Sequence, residues 1–130
     1  MSARSFTQLY ALARAGDVEA LLAHIAELLV ESPGDRGPAD LALIAAAEAN
    51  QIEVVLALLA RGASIEGASE RTHIRPLWKA AKRGHLQMVQ LLIASGADPR
   101  ATDGDGMNAL DYAKRYSHSE VVRYLESSLG

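Results

Sequence analysis

The feature that most constrains this chain is that it repeats itself. The stretch Ala46-Ala47-Glu48-Ala49-Asn50-Gln51-Ile52-Glu53-Val54-Val55 lies without a gap over Ala80-Ala81-Lys82-Arg83-Gly84-His85-Leu86-Gln87-Met88-Val89, 34 residues on. Further along, Leu58-Leu59-Ala60-Arg61-Gly62-Ala63-Ser64 lies over Leu92-Ile93-Ala94-Ser95-Gly96-Ala97-Asp98. A third copy, Leu110 to His118, aligns with Leu77 to His85 at an offset of 33, and a weaker one, Leu9 to Asp17, aligns with Leu43 to Gln51 at 34. A fixed period of this size marks a stack of small supersecondary units, none of which can bury its own apolar face alone. Leu9, Leu43, Leu77 and Leu110 recur at one position of the frame and are expected to form one interior column.

Within each unit the pattern predicts two short helices. The first spans roughly 5–14, 40–48, 75–82 and 108–115, and the second roughly 18–31, 52–60, 86–94 and 119–128. Apolar residues fall at helical spacing in the second helices, as in Ile52, Val55, Leu56 and Leu59 or Leu86, Val89, Leu92 and Ile93. Gly16, Asn50, Gly84 and Ser117 separate the two helices, where a tight turn demands a small residue or one that tolerates left-handed backbone. Ser5 with Gln8 and Ser117 with Glu120 match a capping box, and Gly62 and Gly96 read as left-handed stops. The links from Gly62 to Ile74 and from Gly96 to Met107 are rich in turn formers. The segment Ser32-Pro33-Gly34-Asp35-Arg36-Gly37-Pro38 is a variant link, because the repeat phase continues across it.

The expected architecture is therefore all-α: a solenoid of stacked helix-turn-helix units with short finger loops. One domain over 1–130 is expected, with units near 5–36, 37–69, 70–102 and 103–130. A hydrophobic share of 49% with only 5% aromatics makes this a core of Ala, Leu, Val and Ile, which suits closely packed helices. Net charge is −3, which gives no basis for neutralising many phosphates, so no nucleic acid is expected as partner. The absence of cysteine excludes a disulfide framework, thiolate metal sites and a cysteine nucleophile. No apolar run approaches the roughly 18–20 residues of a membrane span, and no signal peptide opens the chain. The expectation is a cytoplasmic protein, monomeric on its own, with no membrane partner.

The repeat resembles the ankyrin repeat, which has about 33 residues and a Thr-Pro-Leu-His-x-Ala opening. The third unit carries Arg75-Pro76-Leu77-Trp78-Lys79-Ala80, then Gly84-His85, Met88-Val89 and Leu91-Leu92-Ile93, and ends in Gly96-Ala97-Asp98. In the fourth, Asn108-Ala109-Leu110-Asp111-Tyr112-Ala113 and Ser117-His118 match; the second is similar mainly from Ala46 to Ala63, and the first is degenerate, as capping units usually are. Trp78 and Asp111 stand in place of the opening His, and Leu41 and Arg75 in place of the Thr, so the local bonds of those residues must be remade or lost. What the resemblance implies is a stack whose fingers and first helices form a concave protein-binding face. It implies no reaction and no cofactor.

Chemistry-bearing residues are sparse. Asp103-Gly104-Asp105-Gly106 begins like a calcium loop, but Met107 falls on the third ligand position and Lys114 on the twelfth, so a tight turn is the better reading. His85 and His118 occupy the Gly-His slot of the repeat and read as structural; His24 and His73 have no partner at metal-ligand spacing. Ser117-His118 is adjacent in sequence, which is not triad geometry. No catalytic, cofactor or metal residue is assigned.

The first helices of units three and four carry Lys79, Lys82, Arg83, Lys114 and Arg115, which stacking would bring side by side. Around them lie finger and inner-helix residues of the types that anchor interfaces. The expected partner-binding set is Arg71, Thr72, Ile74, Trp78, Lys79, Lys82, Arg83, Asp105, Met107, Asp111, Arg115 and Tyr116. Trp78 reads equally as a wedge between units. The partner expected is another protein with an acidic patch. The chain would act as an inhibitor or as an immunity protein neutralising a toxic enzyme; the alternatives are a self-associating scaffold or a small enzyme.

Overall fold

Left-handed backbone at one repeated position turns each helix pair back on itself. Gly16, Asn50, Gly84 and Ser117 have φ of 79°, 60°, 75° and 60°. In the structure, a computed structural model describing residues 3–30, 32–67 and 73–129, eight helices and no strand occur among the described residues. They are α1 (Ala3–Ala15), α2 (Val18–Leu29), α3 (Gly37–Glu48), α4 (Ile52–Ala60), α5 (Pro76–Arg83), α6 (Leu86–Ala94), α7 (Ala109–Arg115) and α8 (Ser119–Leu129). The first helices pack in series, α1 on α3, α3 on α5 and α5 on α7, and each second helix packs on its own first helix. This is the all-α solenoid of stacked helix pairs that the repeat predicts.

Alanine explains how closely the first helices approach. Ala13, Ala42, Ala45, Ala46, Ala47, Ala80, Ala81, Ala109 and Ala113 are all buried. The second helices bring larger side chains to the core, among them Leu21, Leu58, Met88, Leu92 and Leu125. Leu9, Leu43 and Leu77 are fully buried in the expected column, while Leu110 is only half-buried. Its helix, α7, packs on α5 alone among the first helices, so one side of Leu110 has no neighbouring unit.

Neither expected capping box sits at a helix start. Helix α1 already includes Ala3, which puts Ser5 inside it and not at its cap. Ser117 supplies the left-handed turn and α8 begins at Ser119, so Ser117 and Glu120 form no capping box. A capping box exists instead at α7. The Asn108 side chain accepts from the Asp111 N–H at 2.9 Å, and the Asp111 carboxylate accepts from the Asn108 N–H at 3.0 Å. In the fourth unit these two residues remake the bonds of the opening motif, whereas Arg75 makes no side-chain cap bond at the start of α5. Pro76 starts α5 and Pro38 lies in the first turn of α3, where a missing N–H costs nothing; Pro38 is why α3 starts earlier than the expected residue 40.

The Gly-His slot is a ladder joining units. The Nε2–H of His85 donates to the Glu48 carbonyl at 2.9 Å, and that of His118 to the Lys82 carbonyl at 2.7 Å. A carbonyl can only accept, so both rings carry their proton on Nε2. Gln51 holds the same slot in the second unit and donates its Nε2–H to the Arg14 carbonyl at 2.7 Å. Each rung satisfies a carbonyl at the end of the preceding first helix, which has no partner within that helix. In the first unit the slot is Asp17, which caps α2 by accepting from the Ala20 N–H at 3.1 Å. One loop is pinned differently: buried Asp40 accepts from the Ser64 N–H at 2.8 Å.

Candidate functional site

The repeat frame puts Arg14, Glu48, Lys82 and Arg115 at equivalent places near the ends of α1, α3, α5 and α7. The ion pairs run between neighbouring units. Glu48 Oε1 lies 3.5 Å from Arg14 and 3.7 Å from Arg83, and Oε2 lies 3.3 Å from Lys79. Three cations share one carboxylate, so the cluster keeps a surplus of two positive charges. Arg14 and Arg83 are more than half exposed. Pairs of that kind contribute little to stability, about 0–1 kcal/mol each. Their effect is to hold a positive surface in place across three units.

Next to this cluster, the Lys82 ammonium sits 5.4 Å from the centre of the Tyr116 ring, which is 45% exposed. A cation over an open aromatic face offers a partner both charge and apolar area. Just before Tyr116, at the end of α7, Arg115 directs Nη1 at the Met107 sulfur, 3.5 Å away, joining α7 to its finger loop.

Trp78 is buried. Its indole N–H donates to the Ala101 carbonyl at 3.2 Å, its ring centre lies 6.4 Å from that of Tyr112, and the Arg75 guanidinium stands 5.7 Å from the ring. It therefore wedges units three and four together and supports the surface from beneath. Arg75 in turn pairs with Glu66 at 2.7 Å, and Glu66 accepts from the Asp98 N–H at 3.0 Å, tying successive fingers. Asp105 is exposed at a finger tip, Ile74 and Met107 are half-buried, and Asp111 is exposed while capping α7. Arg71 and Thr72 lie outside the described residues.

Asp103 organises the last finger as a turn, as the sequence suggests. Its Oδ1 accepts from the N–H of Asp105 at 2.9 Å and of Met107 at 3.0 Å, and its Oδ2 accepts from the Tyr112 hydroxyl. These donors lower the Asp103 pKa, the tyrosine hydroxyl most of all. The same bond raises Tyr112 to about 12. Below about 10, the unfolded value, Tyr112 contributes its full stabilisation; that is lost as pH rises through about 12, where a phenolate would face the carboxylate. For Asp103 the sign reverses: its contribution is present above 3.8 and disappears as pH falls through its lowered value. In a spectrophotometric titration, wild type should show a last phenol ionising near 12, and Tyr112→Phe should lack it. A wild-type curve complete near 10 would refute the bond.

A cleft of 130 Å³ opens between α5, α7 and the fingers, with His73 and Asp103 both on its wall beside Lys79 and Lys82. Among the described residues, that pairing is the arrangement that could suggest acid–base chemistry. The cleft is well below the roughly 300–1,000 Å³ of substrate pockets. Both Asp103 oxygens are also already occupied by donors, and its lowered pKa makes it a poor base. The geometry suits side-chain contact with a macromolecule.

Arg14, Glu48 and Gln51 were not singled out from the sequence. Position in the frame was the available signal, since Arg14 and Glu48 share a column with Lys82 and Arg115, and Gln51 stands where the later units have His.

A family model described as ankyrin repeats, in three copies, matches residues 43–129. The ankyrin repeat and KH domain-containing protein mask-1 of Caenorhabditis elegans is 32% identical over 84 residues, covering 65% of this chain and 3% of that protein. The ARF GTPase-activating protein GIT1 of Homo sapiens is 35% identical over 74 residues, covering 57% of this chain and 10% of that protein. The chain spans a small part of the length of these relatives, and what it shares with them is the repeat region. With the period, the helix pairs and the Gly-His ladder already in place, the match leaves one conclusion: the chain belongs to the ankyrin repeat family.

Proposed function

We propose that this chain is a non-catalytic domain, its four units spanning 5–130, that binds an acidic surface of a partner protein. The binding face would be made by the first helices and fingers of units two to four. The observation that carries this reading is the surplus of positive charge at Glu48, extended by Lys82 over Tyr116. The contact set is Arg71, Thr72, Ile74, Lys79, Lys82, Arg83, Asp105, Met107, Asp111, Arg115 and Tyr116, with Trp78 holding two units in register beneath them. Charge here acts mainly on encounter rate and orientation, while Tyr116 supplies an anchor. The finer reading is inhibition or immunity: a small module that covers an acidic face of an enzyme needs no chemistry of its own.

The test is capture from native extract by wild type and by Lys82→Glu/Arg83→Glu/Tyr116→Ala. All three sites are at the surface or half-buried, so the variant should fold. A partner retained by wild type should be lost by the variant, and its association with wild type should slow as salt rises. A partner held equally by both proteins would reject this face. Inhibition of a captured enzyme in proportion to wild-type protein added would support the finer role.

A further inference from the structure

On the second-helix side of units one and two the packing opens. Helices α2 and α4 meet less closely than α1 and α3, as neighbouring second helices do along the whole stack. The gap is a groove of 530 Å³, within the size range of small-molecule sites. Its floor and walls are aliphatic: Leu22, Ile25, Leu29 and Leu58, with Ala26 and Ala39. The groove shares no residue with the binding face proposed above, so each reading stands or falls separately.

The groove's polar lining is biased in sign. Arg36 and Arg61 both line it and are exposed, and no ion pair involves either among the described residues. Asp35 also lines it, but its Oδ1 accepts from the Gly37 N–H at 2.8 Å. Helix α3 starts here at Gly37, where the Asp35 carboxylate already meets the first N–H and Asp40 lies in the first turn, so the positive character of the rim comes from the two guanidiniums. An apolar trough with cationic groups at its rim suits one kind of small molecule: an aliphatic chain ending in an anion.

We propose that this groove binds a medium-chain aliphatic carboxylate, the chain lying along Leu22, Ile25, Leu29 and Leu58 and the carboxylate met by Arg36 and Arg61. Guanidinium forks match the two oxygens of a carboxylate. The neutral alcohol of equal chain length would fill the trough and gain nothing from the arginines.

Octanoate and octan-1-ol are suitable probes, followed by amide chemical shifts of the labelled full chain. Octanoate should give saturable shifts confined to 22–29, 33–39 and 58–63. In Arg36→Glu/Arg61→Glu, octanoate affinity should fall at least about tenfold, because two attractions become two repulsions, while octan-1-ol affinity changes less than about twofold. Ala26→Trp, at an exposed position on the groove wall, should block both probes. Shifts that never saturate or spread over the surface would overturn the proposal. So would octanoate bound equally by the double glutamate variant, octan-1-ol weakened in parallel with octanoate, or either probe still bound by the tryptophan variant.

Discussion

Leu77→Ala should lower the free energy of unfolding by about 2–5 kcal/mol, the cost of a large-to-small change at a site that cannot collapse. Leu77 is 1% exposed on α5, which packs against both α3 and α7. Its neighbours Ala80 and Ala81 are too small to fill the space that a missing isobutyl group would leave. Leu110→Ala, at the equivalent position of the last unit, should cost only about 1–2 kcal/mol, because its side chain is half-buried with a unit on one side only. Urea melts at constant slope would measure both. A loss below about half a kcal/mol at Leu77 would contradict its interior placement, and a larger loss at Leu110 than at Leu77 would contradict the order of the stack. A typical domain has only about 5–15 kcal/mol in total, so the Leu77 change should visibly shift the population.

Gly84→Ala should cost about 2–3 kcal/mol, for two separable reasons. At φ of 75° an alanine is strained by about 1–2 kcal/mol. An added Cβ would also stand 2.4 Å from the His118 ring, displacing it from the Lys82 carbonyl. Gly62→Ala is the control: its φ is 90° and nothing lies within 4 Å of the added atom. It should therefore cost the strain alone. Combining Gly84→Ala with His118→Ala should remove the excess, since the two act on the same rung. Equal losses at Gly84 and Gly62 in a single-site comparison would mean that the ladder contributes nothing to stability.

Most of the fold was legible because it depends on periodicity. Leucines 9, 43 and 77 and the left-handed turn residues recur in register, and a stack is the only way such units bury their leucines. What stayed hidden depends on role and not on identity. Gln51 does the work of a histidine because a side-chain amide can also donate to a carbonyl, and reading the slot as Gly-His concealed that. Asn108 and Asp111 form the one capping box seen, whereas Ser117 was given a cap although it belongs to the turn. For the basic surface, residues within one helix were visible, but the sharing of Glu48 by Arg14, Lys79 and Arg83 requires three units to be laid side by side. The groove beside α2 was out of reach, because it comes from how far α2 and α4 diverge, which no local pattern records.

Partners are expected to meet the first-helix face and not the second. This is tested most directly by placing a photo-crosslinking amino acid at Arg83, on α5, and separately at Gln90, an exposed position on α6. Irradiation in native extract should join a discrete partner to the protein substituted at Arg83 and leave the Gln90 protein unmodified. Cross-linking from Gln90 with none from Arg83 would put the interface on the other side of the stack and contradict the account.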